Sequence, residues 1–101
     1  MGVSYEMNWY LVISNIDDIY KCDENIYVTV KNERRLYPVN SYLPIIIKNI
    51  GCIGLVKIIS FKVSEGKTEI EFSIERKFDI NSEIAKHYFL LYKNIKNTSK
   101  L

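Results

Sequence analysis

The stretch GLVKIISFKVSEGKTEIEF, residues 54–72, decides the fold because two alternating patterns flank the dipeptide Glu65-Gly66. Apolar or β-branched side chains recur at every second position on both sides, which is typical of strands with one buried face. A two-residue loop at Glu65-Gly66 joins such strands directly. The stretch therefore predicts an antiparallel hairpin formed by residues 55–63 and 67–75.

The position of the loop also fixes the register of this hairpin. It sets Phe61 opposite Ile70 on one face and Lys62 opposite Glu69 on the other. The oppositely charged pair contributes about 0.2–1 kcal/mol. A slip of one residue would turn the apolar face toward water, so the pattern and the turn favour the same register.

Two further segments alternate in the same way. Residues 5–14, YEMNWYLVIS, predict a first strand that ends at the turn residues NIDD, and residues 25–31, NIYVTVK, predict a second. In the first strand the inner face, with a largely buried Trp9, consists of Tyr5, Met7, Trp9, Leu11 and Ile13. In the second strand the inner face consists of Ile26, Val28 and Val30.

The segment between these strands and the hairpin contains two prolines. Proline has no amide donor, so Pro38 and Pro44 are unsuited to a central strand. We therefore predict two short edge strands, RLYPV at residues 35–39 and LPIIIKN at residues 43–49. A corner at Asn40-Ser41 divides them.

The last segment, DINSEIAKHYFLLYKNIK at residues 79–96, predicts a helix. Asp, Asn and Ser are good caps, and apolar side chains recur at helical spacing, namely Ile84, Tyr88, Leu91 and Ile95. A closing strand over residues 83–96 is the alternative.

The hairpin register also sets Ile59 opposite Phe72 and leaves Val56 and Ile58 on the outer face of the sheet. The helix is expected to cover these two side chains.

These elements predict a mainly β fold with one helix. We expect a small antiparallel barrel or rolled sheet of five to seven short strands with a C-terminal helix, in a single domain spanning residues 1–101. No apolar run reaches the length of a membrane span, and the N-terminus lacks the pattern of a secretory signal. Cys22 and Cys52 lie far apart without metal-ligand spacing, which favours free thiols and a cytoplasmic location, with a disulfide as the alternative.

No motif in the sequence points to catalysis. A nucleophile, a base and an orienting group are not found together, and His87, one helical turn after Glu83, is expected to form a solvated pair. The acidic pairs Asp17-Asp18 and Asp23-Glu24 do not match a calcium loop. We predict that the chain is not an enzyme, with no catalytic residue, no metal site and no cofactor.

The basic-aromatic stretch RRLYPVNSYLPIII, residues 34–47, suggests a binding surface. Small barrels bind single-stranded nucleic acid with a basic groove and aromatic stacking platforms. The residues that would supply these elements are Arg34, Arg35, Tyr37, Tyr42 and Lys48. The net charge of only +2 argues against that function. We therefore expect a non-enzymatic binding or regulatory domain that acts through protein contacts, with single-stranded RNA or DNA binding as the alternative.

Three stretches also carry a family resemblance: MGVSYEMNWYLV, ENIYVTVKNERRLYPVNSYLPIII and GLVKIISFKVSEGKTEIEF. Over roughly residues 1–75 the chain resembles the family of short cytosolic proteins from low-GC Gram-positive bacteria catalogued as domain of unknown function 2584. The resemblance implies a small bacterial domain of unknown activity. It transfers no site residue, since none of these stretches is a catalytic motif.

Overall fold

The computed structural model describes residues 7–98, with side chains up to residue 94. Within that part of the chain, six strands form one mixed sheet in the order β1-β4-β5-β6-β3-β2, and one helix packs on it. The elements are β1 Leu11–Ile13, a 3-10 helix Ile16–Asp18, β2 Tyr20–Asp23, β3 Ile26–Lys31, β4 Tyr42–Ile47, β5 Gly51–Ser64, β6 Lys67–Lys77 and α1 Glu83–Thr98. The mainly β fold with a C-terminal helix is confirmed. The sheet is not closed, so it is not a barrel, and β1 pairs with β4 in parallel.

The central hairpin has the predicted register near its turn. Phe61 pairs with Ile70, and Lys62 pairs with Glu69. Glu65 takes a φ of 54° and Gly66 a φ of 79°. Both angles lie in the left-handed region that two-residue hairpin turns require.

Further from the turn the predicted register is wrong, because β5 contains a β-bulge. Ile58 pairs with Phe72 and Ser60 with Glu71, so Ile59 has no partner of its own. An extra residue in one strand shifts the alternation of faces by one position. Val56 and Ile58 therefore lie on the same face of the sheet as Phe61 and not on the outer face. Both Val56 and Ile58 are fully buried in the core.

The main core lies on this face of the sheet, which is opposite to the face that α1 covers. Its buried side chains come from four strands, β1, β4, β5 and β6, and from the loop after β3, and they include Leu11, Ile13, Tyr37, Leu43, Ile45, Ile47, Val56, Ile58, Ile70 and Phe72. A flat sheet would leave such a face open to solvent. The sheet must therefore curve around its own side chains, as strongly twisted sheets do.

The helix covers the opposite face of the sheet. Ala85 is buried there with Ile46 and Cys52, and Tyr88, Phe89 and Tyr92 pack around them. The predicted helix is confirmed, and Ser82 Oγ accepts a hydrogen bond from the Ala85 amide at 3.3 Å as an N-cap does. The predicted apolar face is only partly right, since Ile84 and Leu91 are exposed. The side chain of Ile95 lies outside the described residues.

The first strand is shorter than predicted. Leu11 and Ile13 are buried as expected, but the ladder covers only three residues, and Trp9 is 60% exposed and Met7 45% exposed. A bend at residues 9–10 interrupts the alternation, so the burial predicted for Trp9 and Met7 is wrong. The predicted position of Tyr5 lies outside the described residues.

The predicted inner face of β3 is inverted. Thr29 is buried and Tyr27 packs against the main core, whereas Val30 is exposed. Thr29 pairs with Ile70 of β6, which places it on the core face. The β-branched shape that favoured Ile26, Val28 and Val30 does not distinguish Val from Thr, and Tyr27 supplies the larger apolar surface.

The proline-containing segment forms one of its two predicted strands. Residues 35–39 contribute a single bridge, from Leu36 to Met7, instead of an edge strand. Residues 42–47 form β4, which lies between β1 and β5 rather than at an edge. The ladder with β1 covers only Ile45 to Ile47, so Pro44 faces no partner there. The predicted corner is present, with Asn40 at a φ of 65°.

Candidate functional site

The two sides of the sheet approach each other between β1 and the end of β3. β2 pairs with β3 only over Ile26–Val28, so the outer edge of residues 29–31 is free of β2. β1 is the terminal strand on the other side. We call this gap, together with the residues 31–36 that bridge it, the seam.

Arg35 ties the bridging segment to both sides of the seam. Its backbone amide donates to Thr68 Oγ1 of β6 at 2.8 Å, and its Nη1 donates to Asn8 Oδ1 at 3.3 Å. Its Nη2 forms an ion pair with Glu33. Thr68 completes the arrangement by donating its hydroxyl to the Glu33 carbonyl at 2.6 Å. Arg35 thus has a folding role that the sequence did not indicate.

The Nε of Arg35 is buried without a hydrogen-bond partner in the part of the chain that the structure describes. Leaving a buried donor unpaired costs about 1–3 kcal/mol, and more when the group is charged. An acceptor from outside the chain cannot reach this buried atom, so Arg35 would bind such an acceptor through its Nη atoms, each of which has one N–H group that Asn8 and Glu33 do not use.

Lys31 also spans the seam. Its Nζ donates to the backbone carbonyl of Val12 on β1. Burial lowers the pKa of Lys31, and the nearby charges of Arg35 and Lys48 lower it further. The carboxylates of Glu33 and Asp18 act in the opposite direction. This balance shows that three cations and two anions lie close enough to interact.

These five charged side chains line an open cleft of about 200 Å³ at the seam, together with Ile13, Ser14 and the end of β3. We call it the seam cleft. Its lining is mostly polar, and Lys48 is exposed beside it. Its chemistry suits a small group that accepts hydrogen bonds and carries negative charge.

The structure brings together two of the five predicted site residues. Arg35 and Lys48 both line the seam cleft, whereas Arg34 is exposed and not part of its lining. Tyr37 is only 3% exposed and belongs to the core, where burial raises its pKa to about 12. Tyr42 is 61% exposed on β4 but also lies outside the cleft lining. The Tyr37 ring is therefore not exposed as a surface on which a base could stack.

Sequence reasoning missed Lys31, although a signal for it exists. Lys31 is two residues beyond Thr29 and four beyond Tyr27, so it shares their face of β3. The predicted inner face of Ile26, Val28 and Val30 left Lys31 on the opposite face of the strand. A strand face that ends in a lysine, followed by a loop with two arginines, indicates that positive charge gathers at this end of the strand.

The other candidate groups do not assemble into a site. His87 is exposed, and its ring packs edge-on against Tyr88. Within residues 7–98, no three His, Cys, Asp or Glu side chains are grouped as metal ligands. Cys22 is exposed and Cys52 is buried, both as free thiols. Burial raises the pKa of Cys52, which makes it a poor nucleophile.

Comparison with known proteins supports the fold. No family model and no curated protein matches the chain. Among solved structures, the chain is similar to the X-ray crystal structure of protein ytmB from Bacillus subtilis, a structural-genomics target. The TM-score is 0.67 at 22% identity, over 81% of this chain and 100% of that one. At this identity the similarity concerns the fold alone.

The described helix does not have the length and apolar character of a membrane-crossing segment. Its sixteen residues include lysines and a histidine along the exposed side. Its apolar side is the one that packs on the sheet.

Proposed function

We propose that this chain is a small, non-enzymatic binding or regulatory domain of the cytoplasm that acts through contacts with a protein partner. The observation that supports this proposal is the seam cleft, an open polar cleft of about 200 Å³ with charged groups of both signs. Mixed charge is typical of protein surfaces that must match a partner of defined shape and charge.

The same cleft is a poor match for a nucleic-acid backbone. Phosphate binding requires positive charge that is not cancelled locally, yet Asp18 and Glu33 lie among the cations. One of the two tyrosines expected to stack on bases, Tyr37, is buried. These two features are our reasons for proposing protein binding before nucleic-acid binding.

Single-stranded nucleic acid remains the second candidate because of one specific observation. Tyr42 is 61% exposed, and the Arg34 side chain is exposed as well. An exposed aromatic ring and a cation are the two elements that such binding requires.

The family resemblance is also a proposal. We propose membership of the family catalogued as domain of unknown function 2584, on the stretches around Arg35-Leu36-Tyr37-Pro38 and the hairpin of residues 54–72. Membership would supply no activity and no partner. It is compatible with a domain that functions by binding.

The test is affinity capture from the source cell with nuclease treatment, using three forms of the protein. Lys48→Glu reverses an exposed charge beside the cleft, and Lys86→Glu makes the same change on α1, which packs on the opposite face of the sheet. We expect one captured protein to survive nuclease, to disappear with Lys48→Glu and to remain with Lys86→Glu. A complex that nuclease removes would contradict the proposal.

A further inference from the structure

The seam cleft holds more donors than its own acceptors use. The Lys31 ammonium has three N–H groups, and one of them is engaged with the Val12 carbonyl. Among the described residues, the Lys48 side chain makes no hydrogen bond or ion pair. The two Nη atoms of Arg35 carry four N–H groups, and in the same part of the chain two of these are engaged, one with Asn8 and one with Glu33. Each of these three side chains can therefore still donate to an acceptor that enters the cleft.

The charges of the lining indicate how much negative charge such an acceptor should carry. Lys31, Arg35 and Lys48 are opposed by Asp18 and Glu33, and Glu33 is already paired with Arg35. Three positive and two negative groups leave an excess of one positive charge. A carboxylate, with a single negative charge, balances this excess. A phosphomonoester carries about −1.5 to −2 at neutral pH and would exceed it.

We propose that the seam cleft binds one carboxylate group of the partner protein, with Arg35, Lys31 and Lys48 as donors. The inference rests on the proposed function, since it names the chemical group that the same cleft recognises. The carboxylate comes from an acidic side chain or from a chain terminus. Both sources present the same two oxygens to the cleft, and the test below separates them.

The cleft also explains why a carboxylate would be held in a fixed orientation. Arg35 is anchored by its contacts with Thr68, Asn8 and Glu33, so its guanidinium cannot rotate freely. Lys31 is held by the Val12 carbonyl. Two fixed donors and one free one, Lys48, give a site that is largely organised before binding, which reduces the entropic cost of association.

The experiment is a titration of the 15N-labelled protein with three short peptides at constant ionic strength, monitored by amide chemical shifts. The first peptide is acetyl-Val-Ala-Glu-Ala-Val-amide, the second replaces Glu with Gln, and the third is the Gln peptide with a free C-terminal carboxylate. We expect the amides of residues 31–35 and Lys48 to shift with the first or the third peptide and not with the second. The peptide that shifts them identifies the source of the carboxylate.

Two variants and one competitor make the result specific. Lys48→Gln should weaken the binding of the active peptide about tenfold, as expected for the loss of a charge-assisted hydrogen bond, and Lys86→Gln on α1 should leave it unchanged. Inorganic phosphate should compete more weakly than acetate. Equal shifts with the neutral peptide, no effect of Lys48→Gln, or tighter binding of phosphate would each overturn the proposal.

The outcomes also separate this inference from the proposed function. If a nuclease-resistant protein complex depends on Lys48 but no carboxylate peptide binds, the domain contacts a protein through other chemistry and this inference fails alone. If no protein is captured and the peptides do not bind, both fail.

Discussion

The Nζ of Lys31 donates a hydrogen bond to the backbone carbonyl of Val12, so that a side chain of β3 reaches the terminal strand β1. The two strands are not neighbours in the sheet order. A side chain therefore spans the gap between these two strands. The same gap forms the seam cleft, so stability and the proposed binding depend on the same residues.

The contribution of Lys31 to stability is the first prediction. Lys31→Met removes the donor to Val12, which costs about 1–3 kcal/mol, but it also removes a partly buried charge that Arg35 and Lys48 repel. Because Lys31 is only partly buried, solvent reduces that second effect, and we expect a net loss of about 1 kcal/mol in urea unfolding. Lys86→Met on α1 is the control. An unchanged or increased stability of Lys31→Met would show that repulsion dominates.

The raised pKa of Tyr37 predicts a loss of stability in alkali. The pKa is 10.0 in the unfolded chain and about 12 in the folded protein, because burial disfavours the phenolate. The folded state thus binds more protons between these values, and the stabilisation present below pH 10 is lost as the pH rises toward 12. A shift of two units corresponds to about 3 kcal/mol.

The comparison of wild type with Tyr37→Phe isolates this effect. Both proteins share the other alkaline groups, including Lys31 and Tyr10, whose contributions cancel in the difference. We expect the two proteins to have similar free energies of unfolding at pH 8, and the variant to become the more stable one above pH 10. Parallel stability curves up to pH 12 would contradict the raised pKa.

The exposed position of Trp9 predicts a small mutational effect at the largest side chain of the protein. Trp9 is 60% exposed, so Trp9→Ala should change stability by less than about 0.5 kcal/mol. Phe72 is fully buried, and Phe72→Ala should cost about 3–5 kcal/mol. Quenching of the Trp9 fluorescence by iodide in the native state provides a second measurement. A protected fluorophore together with a large destabilisation would place Trp9 in a core.

Much of the fold could be predicted from local patterns, and the exceptions have specific causes. The turn at Glu65-Gly66 fixed the nearby register, since positive φ angles leave few alternatives. Nothing in the alternation marks Ile59 as the extra residue, because a β-branched side chain suits a bulge and a regular strand equally. The bulge becomes evident only when the burial of Ile58 and Phe61 on one face is known.

The candidate site was predictable only in part for a similar reason. The basic residues Arg35 and Lys48 are visible in the sequence, one after β3 and one after β4, but their proximity depends on how far the sheet curves. Bulges bend a strand, and a glycine within a strand often marks a close approach of two backbones. Gly54 lies at such an approach, beside the backbone of Arg76, and no sequence motif marks it.

Gly54 therefore carries the next prediction. A Cβ at this position would lie 2.2 Å from the backbone oxygen of Arg76 on the paired strand β6. Backbone atoms in a ladder cannot move aside without breaking hydrogen bonds, so Gly54→Ala should cost more than about 2 kcal/mol. Ser60→Ala, an exposed substitution on the same strand, is the control. Melting of both variants at the wild-type temperature would show that β5 and β6 separate easily here.

The last prediction separates the two candidate functions by their dependence on salt. If the domain binds single-stranded nucleic acid, the exposed Arg34 should neutralise one phosphate, so Arg34→Ala should reduce the log–log salt slope by about one. Tyr42→Ala should then lose about 1–3 kcal/mol of stacking with little change in slope. We expect neither effect, because Asp18 and Glu33 oppose the nearby cations and Tyr37 is buried. Arg35 is unsuitable for this test since it holds the seam together.

The measurement is a fluorescence-anisotropy titration of short single-stranded DNA and RNA at several salt concentrations. A micromolar affinity that falls steeply with salt, and a shallower slope in Arg34→Ala, would place nucleic acid ahead of a protein partner.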